Sequence, residues 1–187
     1  MRKHSLPAIA TALAACISLP AIAQNYPAKP IRLMVGFAPG GGTDIVARVL
    51  AQKLSETWGQ QVVVENRAGA TGTIAADFVA KSAPDGYTLL MGHVNSNAIA
   101  PTLFKKLPYD AVKDFASVTY VGYVPNVLTV HPSLPTKNVK ELIALAKTRA
   151  GELTCASSGT GSTQHLALEM FMTITGTKII HVPYKGS

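Results

Sequence analysis

Two turns rich in glycine and hydroxyl side chains carry the chemistry of this chain. The first is Pro39-Gly40-Gly41-Gly42-Thr43-Asp44 and the second is Ser157-Ser158-Gly159-Thr160-Gly161-Ser162-Thr163. Each sits between a strand-like run (31–35 and 153–156) and a helix-like run. The first N–H groups of a helix have no partner inside it, so such a turn is a ready anion site. Two of them on separate segments predict a protein that grips an anionic small molecule from two sides. Hydrogen bonds to a charged group contribute roughly 1.5–3 kcal/mol each. Three or four therefore approach the ~8 kcal/mol of a micromolar complex before ordering costs are subtracted. Asp44 has two readings, an N-cap accepting backbone hydrogen bonds or a direct ligand contact. Either turn taken alone could be a plain strand-to-helix connection.

Other chemistries fit the residues less well. Gly36-x4-Gly41-Gly42-Thr43 approaches a phosphate-binding loop, but Gly42 stands where that motif needs lysine. Gly159-Thr160-Gly161 starts like a dinucleotide fingerprint, yet Gln164 occupies the third glycine position. There is no Gly-x-Ser-x-Gly elbow to activate Ser157, Ser158 or Ser162, so no catalytic residue is assigned. His93, His131, His165 and His181 are scattered, and His165 with Glu169 one turn on reads as a helix-face contact; no metal or cofactor is expected. The lysines and arginines are dispersed, with no basic run interleaved with aromatics, which argues against nucleic acid.

Strand and helix signals alternate along the chain. After the strand at 31–35, Ile45, Val46, Val49, Leu50 and Leu54 recur at helical spacing, with Trp58 one turn further on. A strand is expected at 61–65, a helix at 73–81 and a third strand at 87–91, after the Pro84-Asp85-Gly86 turn. Two close strands are expected at 117–123 and 126–130. A helix follows at 139–147 with Asn138 as candidate N-cap, then strand 153–156, a helix at 163–174 and a strand at 178–182. This alternation predicts an α/β fold with parallel sheets flanked by helices. It divides into a first lobe at 24–97 and a second lobe at 98–187.

Arg2, Lys3 and His4 precede an apolar stretch that ends in Ala21-Ile22-Ala23. That is a secretory signal over 1–23, with Gln24 first after cleavage. Leu13-Ala14-Ala15-Cys16 offers a second reading, a lipoprotein signal with Cys16 lipidated. After either cleavage at 23 or none, no later run is long and apolar enough to span a bilayer. The formal charge of +7 falls to +5 once Arg2 and Lys3 leave with the signal, a mild field that collects anions. Cys155 then has no partner for an intrachain disulfide and reads as a small buried core residue.

Together these segments resemble the substrate-binding proteins of tripartite tricarboxylate transporters, the TctC or Bug type. The matching pieces are Tyr26-Pro27-x-x-Pro30-Ile31, Val35-x-Phe37-x-Pro39-Gly40-Gly41-Gly42-Thr43-Asp44, Val64-Glu65-Asn66-Arg67-x-Gly69-Ala70, Pro84-Asp85-Gly86-Tyr87-Thr88, Ser157-Ser158-Gly159-x-Gly161-Ser162-x-x-His165-Leu166 and His181-Val182-Pro183-Tyr184-Lys185-Gly186-Ser187. The resemblance implies a periplasmic binding protein-like fold of two lobes that closes, as a monomer, around a small carboxylate. It implies delivery of that acid to the permease subunits of a membrane transporter. By the same match, Phe37, Pro39, Gly40, Gly41, Thr43, Asp44, Ser157, Gly159, Gly161, Ser162 and Thr163 stand at the ligand carboxylate, partly through bound waters. Ala70, His93 and Asn95 line the rest of the cleft, and His165 and Tyr184 come next. Members of the family run well past residue 187, so the second lobe is expected to be incomplete. Two other readings use the same turns: a ligand-sensing partner of a membrane sensor, and an enzyme acting on an acyl or phosphoryl substrate. A non-functional remnant of a binding protein is a further one.

Overall fold

The computed structural model of this chain describes residues 25–184. The signal at 1–23, Cys16 and the last three residues of the 181–187 motif lie outside them.

β1 (Ile31–Val35) is the centre of the first sheet. Ile31, Leu33 and Val35 alternate onto one face and are buried, as a period of two requires. β2 (Val62–Asn66) and β3 (Thr88–Met91) flank β1, both parallel to it, with Leu33 opposite Val64 on one side and Leu89 on the other. A parallel neighbour needs a helical crossover. α1 (Gly42–Trp58) supplies one between β1 and β2, and α2 (Thr73–Ala80) supplies one between β2 and β3. The core joins Ile31, Leu33, Val35, Phe37 and Val62 to Ala47 and Ala51 of α1. Beyond β3, a π-helical turn (Asn95–Ile99) runs into the short α3 (Ala100–Leu103).

α4 (Val139–Thr148) begins at Asn138, whose side-chain oxygen accepts from the Glu141 amide, an N-cap bond, while the Glu141 carboxylate reaches back to Asn138 Nδ2 and the Lys137 amide. β4 (Thr154–Ser157) and β5 (Ile180–Pro183) then form a second parallel pair, with Cys155 opposite His181. α5 (Thr163–Thr175) crosses between them and ends at Gly176 in the left-handed region. The expected α/β alternation is therefore present, with element ends moved by one or two residues.

Three expectations change. Residues 117–123 and 126–130 carry no regular secondary structure and join no strand ladder among the described residues, and Val118, Tyr120, Val124 and Val127 are exposed. Alternating β-branched residues favour an extended chain, but a strand needs a partner for its N–H and C=O groups. In α1 the buried positions are Asp44, Ala47 and Ala51, whereas Ile45 and Val49 are 56% and 58% exposed. Small alanines let the helix approach the sheet, and the buried Asp44 sets its rotation. Cys155 is half-buried rather than fully enclosed, and that burial raises its thiol pKa.

Gly36 shows how closely the loops meet. A Cβ there would lie 2.6 Å from the Cα of Gly72, with backbone on both sides. Gly36→Ala is expected to lower the free energy of urea unfolding by about 1–3 kcal/mol, the ordinary cost of overpacking. An unchanged midpoint would show that the two loops separate freely.

Candidate functional site

The first turn is organised by one carboxylate. Asp44 sits at the third position of α1 and is 2% exposed. Its Oδ2 accepts from the Gly40 amide (2.9 Å) and from Arg48 Nε (2.8 Å), and its Oδ1 accepts from Asn66 Nδ2 (2.8 Å). The same Asn66 amide nitrogen donates to the Phe37 carbonyl at 3.1 Å, and Asn66 Oδ1 accepts from Arg48 Nη2 at 3.0 Å. Hydrogen bonding from Arg48, then from the Gly40 amide, holds the Asp44 carboxyl down to about 2. The N-cap position itself belongs to Gly41, which makes no side-chain cap bond. Asp44 thus does accept a backbone hydrogen bond, but from three positions inside the helix start, and its charge faces Arg48 and Asn66.

The second turn is organised by hydroxyls and a ring. Ser162 is fully buried and caps α5, its Oγ accepting from the His165 amide at 3.2 Å. Ser157 Oγ accepts from the Gly159 amide at 3.1 Å and bonds His181 Nε2. Gly159 and Gly161 have φ of +130° and +81°, which side chains rarely adopt.

One side chain bridges the two regions. Asn95, 1% exposed, accepts the Thr163 amide on its Oδ1 at 3.3 Å, so a residue beyond β3 occupies an N–H at the start of α5. Its Nδ2 has no partner among the described residues. His93 lies edge-on to Phe37, ring centroids 4.8 Å apart, and burial lowers its pKa.

Between the 36–37 and 69–71 segments and the second turn lies a cavity of about 280 Å³. Gly36, Phe37, Gly69, Ala70 and Thr71 line it on one side and Phe104, Ser158, Gly159, Thr160 and Tyr184 complete it. Its size is near the lower end for small-molecule sites, which start at roughly 300 Å³. Ala70 and Thr71 both have positive φ (43° and 54°), a conformation costly for residues with a Cβ and concentrated at ligand sites. A larger depression of about 430 Å³, between Gly151 and the α5–β5 junction, shares no residue with either turn.

Of the residues expected at the ligand, Phe37, Ala70 and Gly159 line the cavity directly. Gly40, Asp44, Ser157, Gly161, Ser162 and Thr163 form the hydrogen-bonded frame of the two turns. Pro39, Gly41 and Thr43 lie in the first turn, outside the lining, while His93 and Asn95 pack behind it. Gly36, Gly69, Thr71, Phe104, Ser158 and Thr160 are lining residues that the sequence reading does not place at the ligand. Ser158 and Thr160 lie inside the second motif, and the left-handed pair Ala70–Thr71 lacks the glycine that would have advertised it. The expected His165–Glu169 contact on the face of α5 is present at 3.5 Å.

The family model described as "Tripartite tricarboxylate transporter family receptor" (TctC) matches residues 46–187. The chain belongs to this receptor family. It is 47% identical over 172 residues to Protein BugT of Bordetella pertussis, covering 91% of this chain and 53% of that protein. A solved periplasmic transporter superposes with a TM-score of 0.83 at 47% identity, covering 87% of this chain and 54% of that one. R. palustris Rpa4515 with adipate also superposes at 0.83, with 43% identity and coverage of 86% and 54%. The α/β fold is thus that of the periplasmic binding proteins of TctC type. This TctC chain spans about half the length of the relatives it matches.

Two outcomes follow for this TctC chain. Asp44→Ala removes the acceptor shared by the Gly40 amide, Asn66 and Arg48. These partners can turn to water or to each other, so urea stability should fall by about 1–2 kcal/mol, near the low end for a hydrogen bond to a charged group. His93 and His181 both have pKa values lowered by burial, His181 also by the nearby His165. The unfolded state then binds more protons, so stability falls as pH drops through the ordinary histidine value of about 6.5 and levels off below the lowered ones. Thermal midpoints across that range should show the fall, and His93→Gln should shrink it; an undiminished fall in the variant would remove His93 as a cause.

Proposed function

We propose that this protein captures a small carboxylate in the cavity between its Phe37 and Ala70–Thr71 segments and its second glycine turn and delivers it to the permease subunits of a tripartite tricarboxylate transporter. The single observation that carries the reading is the cavity's construction. The left-handed Ala70–Thr71 loop faces the Ser158–Gly159–Thr160 turn across a space fit for a small acid. The lining carries hydroxyl residues on opposite sides, Thr71 on one and Ser158, Thr160 and Tyr184 on the other, and hydroxyls can donate to a carboxylate, whose oxygens only accept. Membership of a receptor family and the adipate held by a relative support it.

In this reading the protein is a periplasmic monomer, exported by the signal at 1–23. Residues 24–97 and those from 98 onward act as two lobes. Binding involves no chemical change of the acid. Asp44, Ser162 and Asn95 shape the turns, and Phe37, Ala70, Ser158, Gly159, Thr160 and Tyr184 meet the ligand. The class extends to di- and tricarboxylates, aromatic acids and amino acids, all of which present the same group.

The test is thermal unfolding of the full chain with a panel of such acids, adipate first. An acid at a hundred times its dissociation constant should stabilise by about 2.7 kcal/mol. Thr160→Trp, at the cavity rim, should cut the affinity for that acid by about tenfold or more while leaving the unliganded midpoint in place. A cooperative transition that no acid moves would overturn the proposal.

A further inference from the structure

The second turn is held from behind by an imidazole. The Gly161 amide donates to His165 Nδ1 at 3.2 Å. A backbone N–H can only donate, so Nδ1 must carry the lone pair and the ring proton sits on Nε2. Nε2 in turn faces Glu169 Oε1 at 3.5 Å, one turn along α5, which favours that tautomer. The His165 backbone is fixed as well, its amide bonded to the Ser162 cap. Gly161 stands at φ +81°, and a Cβ there would meet the Leu103 side chain.

A second ring completes the arrangement. His181 of β5 stacks on His165, centroids 4.1 Å apart and planes at 22°. The titratable groups set against His165 are Glu169 on its own helix and His181 from β5. β4 presents the Ser157 hydroxyl and the Cys155 thiol, paired in register with His181. His181 responds differently to a proton. When charged it can donate to Ser157 Oγ, so its link to the turn survives. A charged His165 cannot keep the Gly161 amide, because both its nitrogens then carry hydrogens. Stacking also sets any second positive charge directly over the first, which disfavours the doubly charged pair.

We propose that His165 is a positioning residue for the second turn, its neutral ring holding the Gly161 amide so that protonation releases the turn and weakens carboxylate capture. The inference rests on the proposed function and names the regulation of that site. Acid then favours release, and the grip is complete only where the ring is neutral. Charge attraction alone would act the other way, since an imidazolium near a carboxylate tightens binding as pH falls. The sign of the pH dependence therefore separates positioning from simple electrostatics.

Two measurements on the full chain decide it. Calorimetric titration with adipate at about pH 8 and about pH 5.5, each affinity expressed for the fully ionised acid, should show affinity falling by about fivefold or more on acidification. Nitrogen-edited NMR over the same range should show the Gly161 amide resonance moving with the midpoint of the His165 ring. His165→Gln, which offers an oxygen acceptor that does not titrate, should bind more weakly but with a flat pH profile; His165→Ala should lose more. His131→Gln, at an exposed position away from the turns, should keep the native slope. Tighter binding in acid, a flat native profile, or a native slope in His165→Gln would each overturn the proposal. Should adipate and the rest of the acid panel fail at every pH, the functional reading falls. The Gly161 amide then decides the positioning role alone, a static resonance refuting it.

Discussion

The first half of this structure hangs on a buried negative charge. Removing a carboxylate from water is costly unless its oxygens are fully bonded. Asp44 meets that condition with the Gly40 amide, the Arg48 guanidinium and the Asn66 side-chain amide. Those partners come from the first turn, from α1 and from the end of β2. One side chain therefore fixes how the turn leaves β1, how α1 is rotated and where β2 ends. Asn66 extends the reach by bonding the Phe37 carbonyl. Phe37 is both a core residue and a wall of the cavity. The charge stands one residue removed from the cavity it shapes.

That dependence explains which parts of the fold were legible in the sequence. The turns could be read because glycine and hydroxyl residues mark backbone conformations that few other residues adopt. The helix at Asn138 could be read because its cap is local. The rotation of α1 could not. Its apolar spacing points to Ile45 and Val49, but the partners that bury Asp44 include Asn66, on a distant segment. Two alanines, which carry little hydrophobic signal, face the sheet instead. The run at 117–130 fails for a related reason: composition sets the chain's preference for extension, while a partner strand sets whether it becomes a sheet.

The site divides the same way. Local motifs placed Ser157, Gly159, Gly161 and Ser162 in one turn, and the turn is built from them. Thr71, Phe104 and Tyr184 reach the cavity from three separate segments, a convergence that only the fold creates. Asn95 is intermediate. It could be placed at the cleft by family resemblance, but its bond to the Thr163 amide joins positions far apart in sequence. Such a bond occupies an N–H that would otherwise be open to an anion at the start of α5.

The cavity's lining carries a physical consequence for recognition. Among the described residues, none of the ten that line it bears a charged side chain. An arginine or lysine there would supply most of the attraction to any carboxylate, and would supply it to all of them alike. Neutral donors each contribute less, so several must be met at once, and their directions matter. Under the proposed function, selectivity among acids then comes from the shape between Phe37, Phe104 and Tyr184, and from the fixed backbone at 70–71 and 159–161. Left-handed residues and close-packed glycines make that backbone stiff. Under that function the described lining discriminates by geometry more than by charge, which places the demand on whatever holds the turns from behind.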